Sequence, residues 1–365
     1  MRKFAAILLS LILAAGIFTA CGSKSSTEKT SSSNSDDTAY EIAMLIDTGT
    51  IEDGTFKQSV WEGIKEFADA NGKTYRYYQP KSDTTKAYMA KIDEAVSKGA
   101  KVVIAMGTNY SDAVAQAQKK YKNVHFISFE GKLPDGVADN TVTVEFKNQE
   151  AGYLAGYAMV KNGYTELGFI GGKKYPSILG YGFGYIQGAN DAAKEENETV
   201  TIRYKYSGTF VASDEVEKVA GDWFVEGTQV IFACSGGTMT ESVTAAAETY
   251  GGSVVGVDVD QSQLSNTVVT SAMKDLKGTV KKLLTEEYGN VFPGGQSLVL
   301  GAADDAVGLP ATTSRFEAFS DDDYNNLYTK LKNGEITVVT SDAAKGPVAL
   351  VKKMGYKNVK ILYYN

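Results

Sequence analysis

Four short apolar runs in this 365-residue chain close on groups suited to polar ligands: 42–47 on Asp47, 125–130 on Glu130, 230–235 on Ser235 and 253–258 on Asp258. A carboxylate accepts hydrogen bonds from hydroxyls, amines and ring N–H groups, and once buried it rejects a ligand that leaves it unpaired. Any one of these residues alone also suits a helix cap or a turn. The agreement of four run ends is what points to a site. Gly236-Gly237, ahead of Thr238 and Thr240, fits a turn or a helix start that a ligand can approach closely. Nucleophilic and metal chemistry are poorly supplied: there is one histidine, His125, inside an apolar strand pattern, and two cysteines, Cys21 and Cys234. That is too few for His/Cys zinc sites or a disulfide framework. Cys234 reads as a small buried apolar residue. No Gly-x-x-x-x-Gly-Lys-Ser/Thr phosphate cradle occurs, so ATP hydrolysis would belong to a partner, and no cofactor is called for.

The elements that must position these groups are strands alternating with helices. Ten apolar runs, at 42–47, 75–80, 102–107, 125–130, 141–146, 167–171, 200–206, 230–235, 253–258 and 268–273, read as strands. Between them, Phe56, Val60, Ile64, Phe67 and Ala68 share one helical face, and Val216, Val219, Ala220 and Trp223 another. Asn148 is placed to cap the helix carrying Ala151, Leu154, Ala155 and Ala158, and Asp321-Asp322-Asp323 reads as a helix start. Repeated strand and helix units give the α/β class, with doubly wound parallel sheets covered on both faces. Ten strands over about 320 residues exceed one comfortable core, which predicts two lobes. Ligands of such sheets gather at the carboxyl ends of the strands, where the four polar groups lie.

Lysine and arginine number 37 against 44 aspartates and glutamates, a net charge of −7 that disfavours nucleic acid as a partner. At the amino end, Arg2 and Lys3 precede an apolar stretch from Phe4 to Phe18. It is shorter than the roughly 20 residues of a membrane span and reads as an export signal. Phe18-Thr19-Ala20-Cys21 resembles the bacterial lipobox, which implies lipidation of Cys21. Residues 22–39, rich in Ser, Thr, Lys and Asp, read as a disordered tether. An anchor and a tether place the folded part on the extracytoplasmic face of the cell membrane.

Residues 46–63, with Asp53-Gly54-Thr55-Phe56-Lys57-Gln58 at their centre, resemble the opening signature of the basic membrane protein family. That family comprises lipoproteins that serve as nucleoside-binding components of ABC importers. Gly168-Phe169-Ile170-Gly171-Gly172, Tyr206-Ser207-Gly208-Thr209-Phe210, Gly256-Val257-Asp258-Val259-Asp260-Gln261, Thr270-Ser271-Ala272-Met273-Lys274 and 301–309 resemble its later blocks in the same order. The resemblance implies a type I periplasmic-binding-protein fold, with residues 40–145 and 274–310 in one lobe and 146–273 and 311–365 in the other. It also implies roles. Asp47 would bond the base, Phe56 and Phe210 would stack on its two faces, Asp258 would hold the ribose, and Lys274 would lie near it. Glu130 stands where the family usually has Asp, and Lys57 where it has Asn. Gly236 completes the candidate set.

The function implied is a non-catalytic, lipid-anchored receptor that takes a purine nucleoside (guanosine, inosine or adenosine) and hands it to ABC permease subunits. The competing readings are a ribose-type sugar receptor on the same fold and a nucleoside hydrolase using the strand-end carboxylates. The isolated His125 and the lack of a carboxylate cluster weigh against the hydrolase.

Overall fold

The computed structural model describes residues 39–364; the expected signal segment, Cys21 and the expected tether up to residue 38 lie outside the described residues. Among the described residues no helix is long and apolar enough to cross a membrane.

All ten expected runs form strands. The first sheet contains β1 (Ile42–Leu45), β2 (Tyr75–Tyr78), β3 (Val102–Met106), β4 (His125–Phe129), β5 (Thr141–Phe146) and β11 (Gln296–Leu300), ordered β11-β5-β4-β3-β1-β2 and parallel throughout. The second contains β6 (Glu166–Gly171), β7 (Val200–Tyr206), β8 (Val230–Cys234), β9 (Ser253–Asp258), β10 (Val268–Lys274), β12 (Val307–Gly308) and β13 (Val359–Tyr364), ordered β12-β10-β9-β8-β6-β7-β13. Only its β10–β12 pair is antiparallel. Central strands are buried on both faces and carry unbroken Val/Ile/Ala runs, as parallel sheets require. The unforeseen strands β11 and β13 are edges whose side chains are mostly half-exposed or exposed, so they lack that signal.

Helix α1 (Phe56–Asn71) buries Val60, Ile64, Phe67 and Ala68, the expected face, and ends at Gly72 in the left-handed conformation (φ 63°). In the second lobe, α4 (Asn148–Lys161) and α5 (Pro176–Glu195) make backbone-close contact. A Cβ added at Gly152 or Gly156 would lie 2.1 Å from the carbonyl oxygen of Tyr181 or Tyr185, and one at Gly184 would lie 1.9 Å from that of Gln149. Asn148, expected as the cap of α4, is instead its first residue and makes no capping bond; its Nδ2 faces Glu130 Oε1 at 3.5 Å. One apolar cluster runs from Ile42, Ile104 and Ile127 of the first sheet through Ala151 and Leu154 of α4 to Phe169, Tyr204 and Phe232 of the second.

The lobe boundaries differ from those expected. Phe146 pairs with Leu300 in the first sheet, Lys274 pairs with Val307 in the second, and β12 joins the second sheet although 307–310 were expected in the first lobe. The reason is that each strand runs to its last hydrogen bond before the chain crosses. The crossings are tied together: Lys147 N–H donates to the Leu300 carbonyl (2.8 Å), Asp275 N–H to that of Ala306 (2.9 Å), and Ala302 N–H to Glu150 Oε2 (2.7 Å).

Two glycines of α5 make opposite predictions. At Gly180 an added Cβ would meet nothing closer than 3.5 Å, so Gly180→Ala should stabilise by up to about 1 kcal/mol through helix propensity. Gly184→Ala should destabilise by about 1–3 kcal/mol, because the neighbouring backbone must move. Urea titrations of the two variants check both signs.

Candidate functional site

The sheet orders reverse direction beside β1 in the first lobe and β6 in the second, and a ligand crevice is expected outside the carboxyl ends at such switch points. A cavity of about 290 Å³ lies there, close to the low end of ordinary small-molecule sites. Asp47, Phe56, Glu130, Phe210, Gly236, Asp258 and Lys274, the full set of sequence candidates, line it together.

Its floor is a buried charge cluster. Lys274 Nζ lies 3.0 Å from Asp258 Oδ1 of the second sheet and 3.2 Å from Glu130 Oε1 of the first, with only 4% of the lysine side chain exposed. Both carboxylates sit on left-handed backbone, Glu130 at φ 55° and Asp258 at φ 68°, a conformation that costs a non-glycine residue on the order of 1–3 kcal/mol and clusters at functional sites. Burial pushes the Glu130 carboxyl up, with Lys274 opposing. For Lys274 burial pulls the other way, but the charges of Asp258 and Glu130 outweigh it and hold the ammonium above the ordinary lysine range. Tyr181 from α5 donates its hydroxyl to Asp258 Oδ1 at 3.1 Å; burial, then the Asp258 charge, raise it well above an ordinary tyrosine, so it remains a donor.

The walls are aromatic. Phe56 opens α1, whose start is fixed by Asp53: its carboxylate accepts from the N–H groups of Thr55 (2.9 Å), Lys57 (3.0 Å) and Gln58 (3.1 Å). The Phe56 ring centre is 4.9 Å from Lys274 Nζ. Phe210, on the loop after β7, packs over Gly172, where an added Cβ would come within 2.5 Å of its ring, and its carbonyl accepts from Thr238 Oγ1 at 3.1 Å. Gly236 adopts φ 104° ahead of α7 (Gly237–Tyr250), and a Cβ there would sit 3.4 Å from Thr55 Oγ1 of the facing lobe. A second ion pair also lines the cavity, with Lys57 Nζ 2.9 Å from Asp47 Oδ1. Sequence reasoning missed Tyr181 and also Tyr175, which lines the cavity with its ring centre 5.7 Å from that of Phe210; their segment carries so many glycines that no helical stripe marked it out.

Neither His125 nor Cys234 belongs to this constellation. His125 begins β4, at the end of the sheet opposite the cavity; its Nδ1 faces Glu287 Oε2 and its ring stacks on Phe292 at 4.3 Å. Cys234 is fully buried, and burial pushes its thiol well up, so it stays protonated and inert. Among the described residues no group of three or more His, Cys, Asp and Glu is arranged to hold a metal ion.

Comparison with known proteins agrees in sequence and in fold. Residues 40–342 match the family described as ABC transporter substrate-binding protein PnrA-like. The chain is 30% identical over 332 residues to the CD4+ T-cell-stimulating antigen of Listeria innocua, covering 84% of this chain and 90% of the relative. It is 28% identical over 326 residues to the ABC transporter nucleoside-binding protein BmpA of Lactococcus lactis subsp. cremoris (82% and 89% covered). It is 26% identical to basic membrane protein A1 of Borrelia garinii (91% and 95%). Among solved structures, an ABC transporter solute-binding protein of Aeropyrum pernix superposes with a TM-score of 0.72 at 19% identity, covering 82% of this chain and 93% of that one. That likeness establishes the type I periplasmic-binding-protein fold.

Lys274→Met would leave two buried carboxylates unpaired and should cost about 3–5 kcal/mol at neutral pH. A carboxyl whose folded pKa lies above its unfolded value destabilises the fold once the pH rises through that raised value, and costs nothing below the unfolded one. Burial already raises Glu130. Removing the lysine should raise it further, so the deficit should be larger at pH 8 than at pH 5 in paired denaturation curves.

Proposed function

The chain belongs to the PnrA-like family of ABC transporter substrate-binding proteins, and from that premise we propose that it captures a purine nucleoside between its lobes and presents it to the permease. Its role is binding and delivery, not catalysis. The observation that carries the nucleoside reading is the placing of Phe56 and Phe210, from opposite lobes, on one cavity above the Glu130–Lys274–Asp258 floor. A flat heterocycle between two rings gains about 1–3 kcal/mol per stacked face. Stacking does not distinguish a base from any other flat ring, so selectivity falls to the floor. There Asp258 and Glu130 accept hydrogen bonds from ribose hydroxyls, and Lys274 keeps the carboxylates compensated. An analogue without those hydroxyls leaves buried acceptors unpaired. Closure of the lobes completes the site, because each ring comes from a different lobe. Lipidation at Cys21 and the tether of residues 22–39 would hold the receptor at the outer face of the membrane, beside its permease.

The polypeptide from residue 22 onward should melt at higher temperature with inosine, guanosine or adenosine and not with free ribose, since a ligand bound only by the folded state stabilises it. Stabilisation by ribose alone would replace this reading with a sugar receptor, and release of free base would replace it with a hydrolase. Phe56→Ala, Phe210→Ala and Asp258→Ala should each weaken binding by about 1–2 kcal/mol in calorimetry. In cells, Cys21→Ala should move the protein from the membrane fraction to the soluble one; retention in the membrane would reject the anchor.

A further inference from the structure

The cavity holds a second ion pair, whose lysine the account above leaves without a task. Lys57 Nζ lies 2.9 Å from Asp47 Oδ1, both residues line the cavity, and only 14% of the lysine side chain is exposed. The pair is held in place. Asp47 Oδ1 also accepts from Gly49 N–H (3.0 Å), and Gln79 Nε2 donates to the Asp47 carbonyl (3.2 Å). Thr48 bonds Asp83 through both its N–H and its hydroxyl, and the Lys57 N–H is tied to Asp53 Oδ2. A Cβ at Gly49 would fall 2.6 Å from Lys57 Nζ, so glycine there leaves the ammonium its space. Among the described residues Asp47 is the hydrogen-bond partner of Lys57 Nζ, and Asp47 Oδ2 makes no bond. An ammonium has three donors. Two therefore remain for a ligand, beside one uncommitted carboxylate oxygen.

We infer that Lys57 and Asp47 form a reader of the base that selects 6-oxopurine nucleosides, inosine and guanosine, over adenosine; the inference rests on the nucleoside reading above. Two donors beside one acceptor call for two adjacent acceptors beside one donor. The 6-oxopurine edge supplies that sequence: O6 and N7 converge as acceptors, and N1–H donates next to O6. In nucleic-acid recognition the same O6/N7 pair is the usual partner of a lysine or arginine. Adenine fails whichever way it is turned, because its amino group stands between the two ring acceptors N1 and N7. One ammonium hydrogen is satisfied and the other is left facing a donor in a mostly buried place, where an unmet charged donor is costly.

Calorimetric titration of the full folded chain with inosine, guanosine, adenosine and purine riboside, which lacks the 6-substituent, tests the inference. Inosine and guanosine should bind on the order of tenfold or more tightly than adenosine and purine riboside. 7-Deazaguanosine, which loses the N7 acceptor, should fall between. Lys57→Met should weaken inosine and guanosine more than adenosine and cut the preference by at least about threefold, leaving the share that Asp47 draws from N1–H. Equal affinities for inosine and adenosine in the unaltered protein would overturn the inference while leaving the nucleoside reading intact. A preference undiminished in Lys57→Met would overturn it in the same way. Absence of binding by every nucleoside would overturn both. The ligand series uses the unaltered protein, so the outcome does not depend on the variant folding.

Discussion

A single ammonium group, Lys274 Nζ, is shared by a carboxylate from each of the two sheets, and the arrangement of the cavity follows from that fact. Removing three charges from water is expensive, and attraction between them offsets the cost only when geometry and supporting hydrogen bonds are good. The support is visible: Tyr181 on Asp258, Asn148 on Glu130, and the faces of Phe56, Phe146 and Tyr181 around the ammonium. A cluster balanced in this way offers acceptor oxygens to neutral hydroxyls without a second counter-ion. It suits an uncharged polar ligand better than an anion, which would add a third negative charge to the floor.

The same cluster sets the positions of the surrounding elements. Glu130 and Asp258 leave their strands in left-handed backbone, a strain sustained only where neighbouring contacts over-determine it. Asn148 gives up the capping role its residue type favours and turns to Glu130. Tyr181 reaches Asp258 because α5 lies against α4 with glycines at the contact. Packing far from the ligand thereby fixes a hydroxyl next to it.

Much of the site was legible because parallel sheets put their polar residues where the apolar run stops: Asp47, Glu130 and Asp258 are marked by that change alone. Phe56, Phe210 and Lys274 were not separable from core or surface residues by pattern, and only the family resemblance singled them out. Tyr181 was hidden because glycine disfavours helices in general, whereas in α5 it permits one by allowing close approach. The cap assigned to Asn148 failed because the side chains that satisfy helix ends are the same ones that bind ligands and buried carboxylates. The edge strands β11 and β13 escaped because an edge has no need of a continuous apolar run.

The contact between α4 and α5 has a mechanical meaning. Side chains normally act as a compliant layer between helices, letting them shear by small rotamer adjustments; where carbonyl oxygens sit against glycine Cα atoms, as at Gly152, Gly156, Gly184 and Gly188, that layer is missing. The two helices are consequently geared together, and the lobe that carries Tyr181 and Asp258 behaves as one stiff body. The chain crosses between the two sheets at three places, near residues 147, 275 and 301, so any turning of one lobe against the other has few covalent pivots.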